Sequence, residues 1–320
     1  MPSPHADGDF NLIYNLPQQR RIAAFHLAPM MGWWDGIRGA AIAAACGFCC
    51  TAAAQDAAVP AMACGGEPIA QASVSGVIDG RTLLLSDGRG VRLAAIEVPP
   101  LAIVGNMVGN SEKASARAGE AAKAALDALT GGDQVLLRQA DAGLDHNTDR
   151  YGRLVAYVYA QRDGVELFAQ AALIEAGLAR AAGRIDGESC AAELHAAERT
   201  ARAGKLGLWG DPYYEVLNAD APVDVLAQRG RFALVEGQVV SVRQSGATIY
   251  VNFGRRWSES FAVTISKRNE RSFAAAGLDV MSLAGRRIRV RGWVEARGAD
   301  GNVPWMEALR PEQIEIADRN

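Results

Sequence analysis

Short β-rich segments, broken by turn residues and interrupted each time by a helix, run through this chain twice in the same order. Val74 to Ile78 and Thr82 to Leu85 flank Asp79 and Gly80, and Ser86 to Gly90 turns the chain into Val91 to Ile96. Glu112 to Leu129 carries Ala and Leu at helical spacing and stops at Thr130-Gly131-Gly132. Strands at 134–138 and 153–159 follow, with a polar loop between them, and then helices over 167–177 and 190–203. This order predicts an α+β chain that is mainly β, with a five-stranded OB-fold barrel and helices over 67–210. Residues 211–227 have turn residues and no sustained period, and read as a linker. Strand patterns then recur at 234–243, 248–253 and 261–266, a helix falls within 269–284, and strands return at 287–296 and 305–316. A second OB-like barrel over 228–317 is the expectation.

Composition sets bounds on function. With 49% hydrophobic and 22% charged residues, the 320-residue chain has ordinary globular composition and room for two domains. A net charge of -3 argues against coating nucleic acid by bulk electrostatics. From Asp220 onward Arg and Lys exceed Asp and Glu, which directs any polyanion contact toward the last third.

The first 55 residues read as a leader with a signal peptide. Arg38 precedes an uncharged run of small and apolar residues from Gly39 to Ala54, too short to span a bilayer comfortably. Ala52 and Ala54 suit signal-peptidase cleavage after Ala54 or Gln55, and Met30 or Met31 stands at the right distance to be the true start. The other reading is a buried Ala-rich helix. Cleavage leaves no stable membrane span and an exported chain, periplasmic or secreted. It also leaves two cysteines, Cys64 and Cys190, either joined in a disulfide or buried as separate thiols.

Four motifs carry chemistry. They are Val77-Ile78-Asp79-Gly80-Arg81-Thr82; Val91-Arg92-Leu93 leading to Glu97-Val98-Pro99; Asp149-Arg150-Tyr151-Gly152-Arg153; and Gly177-Leu178-Ala179-Arg180 with Gly207-Leu208-Trp209. In order and spacing this stretch resembles the thermonuclease, or staphylococcal-nuclease-like, family. The resemblance implies calcium-assisted phosphodiester hydrolysis of DNA and RNA. It places Arg92 and Arg153 as the two phosphate-gripping, catalytic arginines and Tyr151 beside the phosphate, with Arg150 next to it. Glu97 stands at a metal-binding acidic position, and Asp79 at a secondary one.

Two positions depart from that pattern. Arg81 replaces an acidic metal ligand, and Pro100 stands where the catalytic Glu belongs, without a proton-accepting group. The stacking tyrosines of the family are missing between Ala181 and Ile185. Calcium, which takes six to eight oxygens or so, is left with a thin donor set. Either Arg81, Arg92 and Arg153 form a metal-free anion clamp, or Arg81 pairs with Asp79 or Glu97 and the site is extinct. In the second repeat, Tyr250, Phe253, Trp257 and Phe261 interleave with Arg255 and Arg256, as a single-strand stacking platform or as core. His195 reads as a surface residue of its helix. The open functions are an atypical nuclease, a noncatalytic binder of nucleic acid or another polyanion, and an envelope protein-interaction module.

Overall fold

A hairpin and a returning strand begin the first sheet: β1 (Pro68–Asp79), β2 (Thr82–Leu85) and β3 (Gly90–Leu93), followed by the short β4 (Ile96–Glu97). Helix α1 (Asn110–Thr130) crosses to β5 (Gln134–Gln139) and β6 (Leu154–Arg162), with β7 (Val165–Phe168) added at the edge. Then come α2 (Ala169–Glu175), β8 (Arg180–Ala181) and α3 (Glu188–Ala203). The computed structural model describes residues 64–101, 110–132, 134–140, 148–162, 164–185, 187–298 and 300–317. The leader with its cleavage region, and the loop that follows Leu101, lie outside them. The described residues all fall in one unit, Ala58–Asn320. Among them no helix is long and apolar enough to cross a membrane.

The first sheet closes on itself. Antiparallel pairing runs β3-β2-β1-β5-β6, and β6 returns to β3 in parallel through Val91↔Leu154 and Leu93↔Ala156. This partly closed ring is an OB-fold. Alternation along its strands sends Leu83, Leu85, Val91, Leu93, Val135 and Leu137 inward, where each is fully or almost fully buried. Residues 167–168 join β7 rather than starting a helix, because Phe168 pairs with Tyr159 across the sheet and stacks on its ring at 4.8 Å. Gly177 and Gly207 explain one motif: a Cβ on Gly177 would stand 2.2 Å from the Leu206 carbonyl oxygen, so only glycine lets the two turns meet.

Stretch 211–227 is structured rather than bare linker. It holds β9 (Leu217–Asn218) and α4 (Pro222–Leu226), and β9 pairs in parallel with the next strand, a contact that no local period records. After it come β10 (Phe232–Gln238), β11 (Ser241–Ser245), β12 (Thr248–Asn252) and β13 (Ala262–Ser266). Helix α5 (Glu270–Ala275) leads to β14 (Arg287–Trp293), β15 (Glu295–Arg297), β16 (Val303–Glu307) and β17 (Ile314–Ile316). The chain passes from one sheet to the other between β10 and β11 and again at Val294. Pairings therefore run round a second ring in the cyclic order of the first, with β13 and β16 as its parallel pair. Phe253 and Phe261 sit in its core, ring centroids 5.1 Å apart, whereas Trp257 is exposed.

Charge joins the rings. Arg291 of β14 is buried and bonds Glu198 of α3 at 2.9 Å, Glu315 of β17, and the Ala181 carbonyl at 3.1 Å. Glu198 also accepts from the Ala181 N–H at 2.9 Å. Trp209, Phe232, Leu234 and Ala201 form an apolar cluster beside it. Covering of α3 by the second ring buries His195, which the sequence placed on the surface. Cys64 and Cys190 form a disulfide that ties the entry of β1 to the start of α3.

Candidate functional site

Glu97 is the centre of the arrangement. It lies on β4, which leaves the ring to pair with β8, and the Pro99–Pro100 segment that follows packs on α1 at Gly119. A Cβ there would approach the Pro100 carbonyl oxygen to 2.5 Å, so glycine is what allows the segment to sit so close. Both carboxylate oxygens of Glu97 face arginines. Arg81 Nη1 donates to Oε2 at 2.5 Å, and Arg92 Nη2 stands 3.9 Å from Oε1. Asp79 serves its turn: its Oδ1 accepts from the Arg81 backbone N–H at 2.9 Å.

The second half of the site is the Asp149 turn. Asp149 Oδ1 accepts from the backbone N–H groups of Tyr151 at 2.9 Å and Arg153 at 3.1 Å, while Oδ2 receives Arg153 Nε at 2.8 Å and Nη2 at 2.7 Å. Burial alone would raise the Asp149 pKa, but hydrogen bonds from Arg153 and Tyr151 outweigh it and hold the carboxyl below its ordinary range. Tyr151 is 68% exposed, with Arg150 and Arg153 guanidiniums 4.9 and 5.2 Å from its ring centre. That is an open aromatic face flanked by two cations.

Arg92 links the halves. Burial pushes its pKa down, repulsion from Arg81 and Arg153 adds to this, and Glu97 and Asp149 oppose it. Three guanidiniums thus share one electrostatic neighbourhood with two carboxylates. An incoming anion would relieve the repulsion that Arg92 feels.

The structure thus brings Arg81, Arg92, Glu97 and Asp79 together, and sets Arg153, Tyr151 and Arg150 beside them. The metal expectation for Glu97 and Asp79 meets a poor donor set. Glu97 is already bound by a cation, Asp79 caps a turn, and no group of three or more His, Cys, Asp or Glu able to hold a metal occurs among the described residues. Both carboxylates are engaged within the chain, which leaves calcium a thin donor set among the described residues.

Residues 90–211 match the model of the staphylococcal nuclease homologue family. The chain contains a domain of that family. No curated protein matches the chain. The hairpin of β1 and β2, which precedes the match, belongs to the same ring and supplies Asp79 and Arg81 to the nuclease-homologue site.

The second ring supplies a wall that sequence reasoning missed. A cleft of about 790 Å³ has Arg92, Glu97 and Asp149 on the nuclease-homologue side and Arg268, Trp293 and Arg310 on the other. Where the family's stacking tyrosines are absent, Gln313 packs against Gly183; a Cβ on that glycine would lie 3.2 Å from its side chain. Nothing local in the sequence encodes this docking. The basic excess after Asp220 is partly consumed by ion pairs: Arg287 and Arg289 bind Glu236 within the second ring at 2.8 and 2.5 Å, and Arg291 is buried on Glu315 and, across the docking contact, on Glu198.

Proposed function

We propose that this is an exported protein whose nuclease-homologue domain binds single-stranded nucleic acid through Arg92, Arg150, Arg153 and Tyr151 without metal-assisted hydrolysis. The observation that carries this reading is the Arg81–Glu97 ion pair of 2.5 Å. Hydrolysis of a phosphodiester needs positive charge on the equatorial oxygens and an activated water. Arginines supply the first. Pro100 supplies no proton acceptor, and Glu97 is neutralised by its two arginine neighbours. Binding needs only charge and a stacking surface, and the exposed Tyr151 between two guanidiniums offers both. The Cys64–Cys190 disulfide supports an oxidising compartment, in keeping with the leader read from the first 55 residues. The second ring is read as a second OB-like barrel that narrows the cleft over the arginines.

Fluorescence anisotropy with labelled single-stranded DNA and RNA over a salt series tests the reading. Three cations on phosphates give a log–log salt slope of about -2. Arg92→Ala combined with Arg153→Ala is expected to weaken binding about ten-fold or more and to flatten that slope. Binding that is salt-independent, or indifferent to both substitutions, would contradict it.

A further inference from the structure

Arg180 lies in the seam between the rings, and the reading above leaves its chemistry unused. It sits on β8 opposite Glu97 in the strand register, is 9% exposed, and has a buried Nε with no hydrogen-bond partner. No carboxylate among the described residues comes within ion-pair distance of it. Its guanidinium is held instead between two aromatic rings, 5.3 Å from the centre of Tyr214 and 5.1 Å from that of Phe232. Burying a cation costs free energy that ring contacts offset only in part. The same burial pushes the Arg180 pKa down from its ordinary value.

The group lines a cavity of about 670 Å³, within the range of small-molecule sites. Tyr213, Tyr214, Phe232 and Trp293 give that cavity aromatic walls, and Arg231 stands beside them with its guanidinium 5.0 Å from the Tyr213 ring. Of the three carboxylates in the lining, Glu97 is bound by Arg81, Asp79 accepts from the Arg81 backbone N–H, and Glu215 is exposed. Planar walls favour a planar ring, and a guanidinium fork favours a carboxylate or phosphate.

We infer that the seam cavity binds a small aromatic anion, its carboxylate or phosphate on Arg180 and its ring among Tyr213, Tyr214 and Trp293. The anion supplies the hydrogen bonds that Arg180 lacks. This site is separate from the polynucleotide surface of Arg92 and Arg153, although both border Glu97.

The test is calorimetric titration of the full chain with benzoate, phenyl phosphate and the neutral benzyl alcohol. Saturable binding of at least one anion is expected, about ten-fold or more tighter than benzyl alcohol. Arg180→Gln is expected to remove that preference, and Arg180→Lys to restore part of it. If Arg180→Gln fails to fold, the comparison of anionic and neutral probes on the unaltered protein decides alone. Equal affinity for charged and neutral probes, absence of saturable binding by both anions, or undiminished binding by a folded Arg180→Gln protein would overturn the inference and leave Arg180 as a strut between the rings. Polynucleotide binding is read separately by anisotropy, so either result can fail without the other.

Discussion

Arg81 changes the site through its charge. An acidic residue at that position would add a second carboxylate near Glu97 and raise the demand for a cation; the guanidinium meets that demand from within the chain. The departure at Arg81 was legible in the sequence, but its partner was not, since Asp79 and Glu97 were equally open. The turn decides it, because Asp79 is committed to the Arg81 backbone N–H. His195 shows the opposite limit. Its helix position reads as surface, yet it is buried, its pKa is pushed down to about 3 chiefly by burial, and its Nε2 has no partner. Arg291, Arg199 and Arg202 add to the depression, and Glu315 opposes it. A histidine held neutral in the fold but free to protonate when unfolded makes stability fall as pH drops through about 6.5, by about 1.4 kcal/mol per pH unit. Glu315, Glu236 and Asp149, whose folded pKa values are lowered, lose their contribution only below the ordinary carboxylate range. Urea unfolding between pH 6.5 and pH 5 tests the histidine: burial raises the Glu175 and Glu193 carboxyls, which act in the opposite sense in both proteins, so the unaltered protein is expected to lose more stability across that window than His195→Gln. Equal slopes for both would show that His195 is not the group responsible.

Helix α3 and strand β14 were each found in the sequence at close to their observed limits, because apolar period and alternation are local. What they do for each other was not legible. Alternation along Arg287, Arg289 and Arg291 puts three cations on one face, a pattern that from sequence looks solvated and basic; in the fold that face meets Glu236, Glu315 and Glu198. Glu236 and Glu315 lie on β10 and β17, the strands beside β14, and docking on α3 adds Glu198 as the partner that buries Arg291. Arg291→Leu leaves Glu198 fully buried without its closest buried cation, and loss of one member of a buried pair costs about 3 to 5 kcal/mol. Chemical denaturation of the variant is the check. A loss below about 1 kcal/mol would mean that the apolar cluster of Trp209, Phe232 and Leu234 holds the rings together unaided.

The Cys64–Cys190 link closes a span of 126 residues that contains the whole nuclease-homologue ring. In the chain-entropy model a loop of that length contributes at most about 4 to 5 kcal/mol. Peptide mapping without reductant is expected to recover the two cysteine-bearing peptides joined, and reduction to lower the unfolding midpoint. Separate peptides would remove the link.

The strands of the first ring were legible in the sequence, as were most strands after Phe232, because their turns are punctuated by Gly, Asp and Ser. The cleft between the rings was not, because it is made by residues about 100 to 200 positions apart that meet only in the fold. A missing general base costs about 100- to 10,000-fold, and a missing metal several kcal/mol more. The most direct measurement is release of acid-soluble nucleotides from single-stranded DNA and RNA by the purified protein, with calcium and with chelator. No appreciable calcium-stimulated release is expected, alongside measurable, salt-sensitive binding. Robust calcium-dependent cleavage would contradict it, and would mean that Glu97 gives up Arg81 for a metal ion.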